Sequence, residues 1–127
     1  MRVVEKVRRG LFSRLMYRRG WRGVTLPFRG TARVSYWCDT DGTEAFLRAA
    51  IMATPVADHL YPLALARAIG AVAHERSHVA DAQRLGAWGF WKKKLRELLG
   101  GFRAGEMEAR AYAAGKAAKL AAWDGKP

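Results

Sequence analysis

The chain is short of cysteine, histidine, proline and acid. Cys38 is the single cysteine, so no disulfide can form within the chain, and a small disulfide-stapled scaffold is excluded. No apolar run is long enough to span a bilayer. Residues 1–22 lack the apolar segment and small-residue cleavage site of a secretory signal, so cytoplasmic synthesis is the expectation. Low-complexity Gly/Ser or Pro-rich linkers are also missing, and 50% of the 127 residues are hydrophobic, which excludes a disordered tail and allows one modest core. Acids number 11 against 23 Lys and Arg, a formal net charge of +12. That surplus favours anionic partners, whether nucleic acid, a membrane surface or an acidic protein, without choosing among them.

Two of the three histidines fall five residues apart by inclusive count, in His74-Glu75-Arg76-Ser77-His78. The surrounding pattern is helical, and histidines four positions apart lie on one helix face, one turn apart. Both can then hold one metal ion from the same side, while the intervening glutamate reaches a water on that metal. This is the mechanical content of the His-Glu-x-x-His zinc motif, with His74 and His78 as ligands and Glu75 as general base. The bland alternative is two ordinary helical histidines with Glu75 as a solvated acid beside Arg76.

The remainder divides as follows. Residues 1–22 carry apolar side chains at roughly helical spacing among basic ones, and read as one basic amphipathic helix or arm, with Gly10 a candidate break and Gly20 its end. Lys6, Arg8, Arg9, Arg14, Arg18 and Arg19 would face an anionic partner or a larger assembly, or simply be solvated. Residues 23–38 are rich in β-branched and aromatic types and predict two short strands or a hairpin, Pro27 suiting an edge and Cys38 being buried and inert. An edge beside the motif helix would let an extended peptide add by backbone pairing. Residues 39–43 read as a turn, since the later ligands of a calcium loop are missing. A helix is expected over 44–53, with Phe46, Leu47, Ala50 and Ile51 as its apolar face. The central helix is expected over about 63–85, started by Pro62 and stopped by Gly86. Its core side carries Leu65, Ile69, Val72 and Val79. An aromatic loop over 86–91, a short helix with a basic outer face after Lys92, and a last helix over 105–123 complete the chain. Residues 23–123 would form one domain, and 124–127 a loose tail.

A catalytic zinc site wants three protein ligands and one open position. Glu106 and Glu108, early in the last helix, are the candidates for the third. They point to roughly opposite sides. The face of Glu106 continues through Ala109, Ala113 and Ala117, a small apolar stripe suited to packing, which favours Glu106; Glu108 is the alternative.

The stretch His74-Glu75-x-x-His78-Val79-x-Asp81-x-x-Arg84-Leu85-Gly86, followed by Glu106-x-Glu108-Ala109-x-Ala111-Tyr112-Ala113, resembles the small, minimal gluzincin metallopeptidases of bacteria and phages. The resemblance spans about residues 62–115. It implies an α+β, mainly helical fold with a central zinc helix, a small two-stranded sheet and a C-terminal ligand helix. It implies one Zn2+ per chain on His74, His78 and Glu106, and hydrolysis of a peptide or protein substrate with Glu75 moving the proton. The acid that such families place four positions after the ligand glutamate is here Arg110, a departure. Asp81 would orient a histidine instead, and Tyr112, His59 or Tyr61 would steady the oxyanion. Two alternatives stand beside this: a catalytically weak zinc-binding component of a larger assembly such as a virion, and a basic nucleic-acid or membrane-surface binder.

Overall fold

A computed structural model describes residues 1–39, 41–52, 62–100 and 105–124. The architecture is α+β, as expected. In chain order it comprises β1 (Arg2–Arg8), α1 (Leu11–Arg18), β2 (Gly23–Phe28), β3 (Thr31–Trp37), α2 (Asp41–Met52), α3 (Pro62–Leu99) and α4 (Glu106–Asp124). His59 and Tyr61, and residues 125–127 of the expected tail, lie outside the described residues.

The sheet has three strands, not two, in the order β1-β3-β2. β2 and β3 form the expected hairpin, running antiparallel from Gly23 opposite Tyr36 to Phe28 opposite Thr31. Arg29 and Gly30 both have positive φ (49° and 76°), which a two-residue hairpin turn matched to the strand twist requires. β2 is an edge strand and carries Pro27 without losing a ladder bond.

The third strand corrects the single N-terminal helix expected over residues 1–22. Residues Arg2–Arg8 run parallel to β3, with Val3, Glu5 and Val7 opposite Ala32, Val34 and Tyr36. Three valines in seven residues are stiff at χ1 and fit a pleated surface better than a helix. Gly10, at φ 107°, then turns the chain, and only Leu11–Arg18 is helical. The 1% exposed Ser13 fixes that helix to the sheet: its hydroxyl lies 2.7 Å from the Arg8 carbonyl and accepts the Cys38 N–H at 2.9 Å.

One face of the sheet is the core. Ala32, Val34 and Tyr36 pack with Leu47 of α2 and with Ala68, Val72 and Val79 of α3. Each buried valine of this set contributes roughly 1.5–3 kcal/mol. Phe46, Ala50 and Ile51 pack against the cluster, as their spacing predicts. At the edge of this apolar layer the hydroxyl of buried Tyr36 donates to Glu5 at 2.7 Å, and exposed Arg76 reaches the same carboxylate at 3.1 Å. Burial pushes the Tyr36 pKa up, and the bond to Glu5 reinforces it.

α3 does not end at Gly86. It breaks there, at φ 75° and ψ 167°, and resumes as helix to Leu99. The expected aromatic loop is therefore helix, with Trp88 and Trp91 on it and Phe90 buried. α4 packs along α3, and the two backbones approach at a glycine pair. A Cβ at Gly70 would lie 3.0 Å from the Gly115 carbonyl oxygen, and one at Gly115 2.9 Å from that of Gly70. The first turn of α4 is tied down by α3, because Glu97 accepts the Met107 N–H at 2.8 Å.

Candidate metal centre

Two packed helices build the site. The His74 and His78 rings stand one turn apart on α3, 5.2 Å between centres. The glycine crossing brings the first turns of α4 against that face. Glu108, 5% exposed, points between the rings, with Oε1 3.0 Å from His74 Nε2 and Oε2 3.2 Å from His78 Nε2. One ligand atom from each of the three residues lies within 4.8 Å of the others, the only such His/Cys/Asp/Glu group among the described residues. Burial raises the Glu108 carboxyl, but bonds to both histidines and the charges of His78 and Lys94 outweigh it and hold the group well below the usual carboxylate range.

Glu106 is not at the site. It is exposed, pairs with Lys93 at 3.1 Å and with Arg110, and these cations lower its pKa. The preference for Glu106 assumed that the alanine stripe of α4 faces α3. The facing residues are instead Met107, Glu108, Ala111 and Gly115, all buried. Closest approach is set by a glycine, not by alanines, and the glycine lies on the Glu108 side.

Glu75 sits beneath β2. Its Oε2 accepts the Thr25 hydroxyl at 2.6 Å, and a Cβ on Gly23 would lie 3.0 Å from its Cγ. Burial raises its pKa, with the Thr25 bond and both histidines opposing. It does not pair with Arg76, which serves Glu5. Asp81 does not orient a histidine either. Its Oδ1 takes Arg84 at 3.2 Å and Arg110 at 2.8 Å, while its Oδ2 and the Nδ1 of His78 are both buried without a hydrogen-bond partner among the described residues. Arg110, the departure in the motif, thus bridges Asp81 and Glu106. Tyr112 stands edge-on to His74, ring centres 4.8 Å apart, and is half exposed.

Two residues at the site were not anticipated. Thr25 was legible in principle: strand alternation puts it opposite Val24 and Leu26, on the side facing the helices. Lys94 was read as part of a basic outer face. Its Nζ lies 3.1 Å from Glu108 Oε2, because Lys94 follows buried Phe90 by one turn.

Comparison of the chain with protein-family models, with curated proteins and with solved structures finds no match. The site therefore rests on its own chemistry. Two imidazole Nε2 atoms and one carboxylate, converging from two helices, are a donor set that suits zinc.

The six cations expected on one N-terminal helix are dispersed. Lys6 and Arg8 lie on β1, Arg8 donating to Ser35 at 3.2 Å. Arg9 pairs with Glu44 at 2.9 Å and Arg18 with Asp39 at 3.6 Å. Arg14 and Arg19, at α1, are exposed. No helix of the described residues is long and apolar enough to cross a membrane.

Proposed function

We propose that the chain is a zinc-dependent hydrolase of peptide bonds, of the minimal gluzincin kind. The observation that carries this is the convergence of His74, His78 and Glu108 within 4.8 Å with the carboxylate of Glu75 on the same helix. His74, His78 and Glu108 would hold one zinc ion, which supplies Lewis acidity and an activated water at neutral pH. Glu75 would be the general base toward a water at this site and the acid toward the leaving amine. Its burial and the Thr25 hydroxyl hold the carboxylate in one place for this task. Lys94 puts a positive charge beside the site, where it would steady the oxyanion in place of Tyr112, His59 or Tyr61.

The substrate is read as an extended chain on β2. Alternate residues of an edge strand turn their backbone groups away from the sheet. The Pro27 carbonyl is one of these, since it accepts the Trp91 indole N–H at 2.6 Å. Gly23 and Thr25 share its parity and present their N–H and C=O to an added strand directly above Glu75.

The decisive comparison is Glu75→Gln against the native chain, both loaded with zinc and offered unfolded protein. The variant should keep its metal and lose turnover by on the order of 100-fold or more. Equal turnover, or failure of the native chain to take up zinc, would overturn the proposal. A second reading is a structural zinc site, favoured by the 5% exposure of Glu75 under β2. It is the one left standing if zinc binds and Glu75→Gln changes nothing.

A further inference from the structure

The second half of α3 is amphipathic in the inverted sense. On a helical wheel, Trp88, Trp91, Leu95, Leu98 and Leu99 occupy one contiguous arc. All five are exposed, Trp88 by 81% and Leu99 by 83%. The opposite arc carries the charges that face the protein: Lys93 to Glu106, Lys94 to Glu108, and Glu97 to the start of α4. This stretch of helix thus holds Lys93, Lys94 and Glu97 against the protein and offers tryptophan and leucine to the exterior. Among the described residues, the ion pairs and hydrogen bonds that tie this half of α3 to α4 come from Lys93, Lys94 and Glu97, not from this arc.

We propose that this face of residues 87–99 attaches the protein to the surface of an anionic lipid bilayer. The charge distribution selects this occupant. Lys92 and Arg96 border the apolar arc on one side, and neither makes an ion pair among the described residues. Beyond them a groove of about 650 Å³ opens between α3 and α4, lined by Lys92, Lys93 and Arg96 over Gly89 and Gly100. Two acids also line it: Glu106 pairs with Lys93 and Arg110, and Glu97 accepts the Met107 N–H through Oε1 while its buried Oε2 has no hydrogen-bond partner among the described residues, so Lys92 and Arg96 are the cations left for a phosphate. Acyl chains take the leucines and lipid phosphates take the groove. A tryptophan pair suits the boundary, where an amphipathic ring is anchored at headgroup depth. Trp91 is held for this by its bond to the Pro27 carbonyl, which also sets the hairpin tip, with exposed Phe28 and the Arg29 guanidinium 5.2 Å from its ring, beside the helix. A second copy of the chain fits less well: a symmetric contact would set Lys92 and Arg96 against their own like charges, with no acid on that arc to answer them. A nucleic acid supplies phosphates but no phase for three leucines.

The test is co-sedimentation of the intact chain with vesicles of phosphatidylcholine containing one-quarter phosphatidylglycerol, beside vesicles of phosphatidylcholine alone. The native chain should bind the anionic vesicles, more weakly as salt is raised. Leu95→Gln with Leu99→Gln should weaken binding on the order of tenfold or more without changing the melting temperature, since both side chains are exposed. Lys92→Gln with Arg96→Gln should cost roughly 30-fold, from the worth of a cation near such a surface. His74→Ala, which removes a metal ligand, should bind vesicles like the native chain. The proposal is overturned if anionic vesicles are not bound, or if the leucine pair is without effect. It is equally overturned if the loss follows Leu11→Gln with Leu15→Gln on α1 instead, or if the leucine pair abolishes a lipid-independent dimer.

Discussion

The two halves of α3, on either side of Gly86, solve opposite problems with the same secondary structure. The half before the break buries Ala68, Val72 and Val79 against the sheet and α2, and turns His74 and His78 toward α4. The half after it turns Phe90, Lys94 and Glu97 toward α4 and leaves its leucines outside. Upstream, apolar periodicity reports the core. Downstream, the same periodicity reports a surface. A hydrophobic stripe therefore says that a helix has two faces, not which one the fold covers.

The largest effect expected on stability separates the inward and outward aromatics of the second half. Phe90 is 1% exposed, packs with Ala82 and Met107, and stands edge-on to His78 with ring centres 6.3 Å apart. Phe90→Ala should cost about 3–5 kcal/mol in denaturant unfolding, whereas its neighbour Trp88→Ala should be nearly silent. If the two are equal, the orientation of the second half is wrong.

Next in size is the contrast between the two glutamates of α4. Glu108→Ala removes the carboxylate that spans the two imidazoles, so zinc affinity should fall by more than about 100-fold, or about 2.8 kcal/mol. Glu106→Ala breaks only exposed pairs with Lys93 and Arg110 and should leave zinc content unchanged. Isothermal titration with zinc of both variants decides this, and the reverse pattern would restore the ligand that helix-face reasoning had favoured. Chelator treatment should lower the melting temperature of the native chain and leave that of Glu108→Ala where it is.

The break itself is the third point of attack. Gly86 adopts a backbone conformation that only glycine takes without strain, and a Cβ there would meet nothing within 4 Å. Gly86→Ala therefore isolates backbone strain from steric clash, and should destabilise by about 1–3 kcal/mol. Because the helix beyond the break sets Phe90 against Met107 and His78 and Lys94 beside Glu108, zinc affinity should fall with it. A variant as stable as the native chain would mean that the second half finds its place without the break.

These contrasts also show what was legible in the sequence. The His74–His78 pair, Glu75, the core positions Val72 and Val79 of α3 and the hairpin over 23–38 could be read because each follows a short-range rule, of period four or two, that local geometry fixes; Ile69, expected on the same face, is only partly buried and outside the core cluster. The strand at Arg2–Arg8 could not, because its valines fit both periods and the decision lies with a partner strand about 29 residues away. The choice of Glu108 could not either. It turns on the Gly70–Gly115 crossing, a contact between residues 45 apart in which the missing side chain, not a present one, sets the interface. Gly86 was read as a helix end, and is one in its dihedrals. That the helix resumes beyond it depends on Phe90, Glu97 and Met107 finding each other across α3 and α4.

The smallest expected effect is a sharp test of the inversion. Leu95 and Leu99 are 58% and 83% exposed, and neither belongs to a buried cluster. If the second half were an ordinary amphipathic helix, replacing either by glutamine would open a cavity and leave a buried amide, at a cost of at least about 2 kcal/mol. With the leucines outside, Leu95→Gln and Leu99→Gln should each lie within about 0.5 kcal/mol of the native chain in urea unfolding, with the slope of the transition unchanged. The near-silence would place the apolar arc at the surface on thermodynamic grounds alone, before any lipid is added. A loss of 2 kcal/mol in either would instead bury the arc and remove the surface on which the bilayer contact depends.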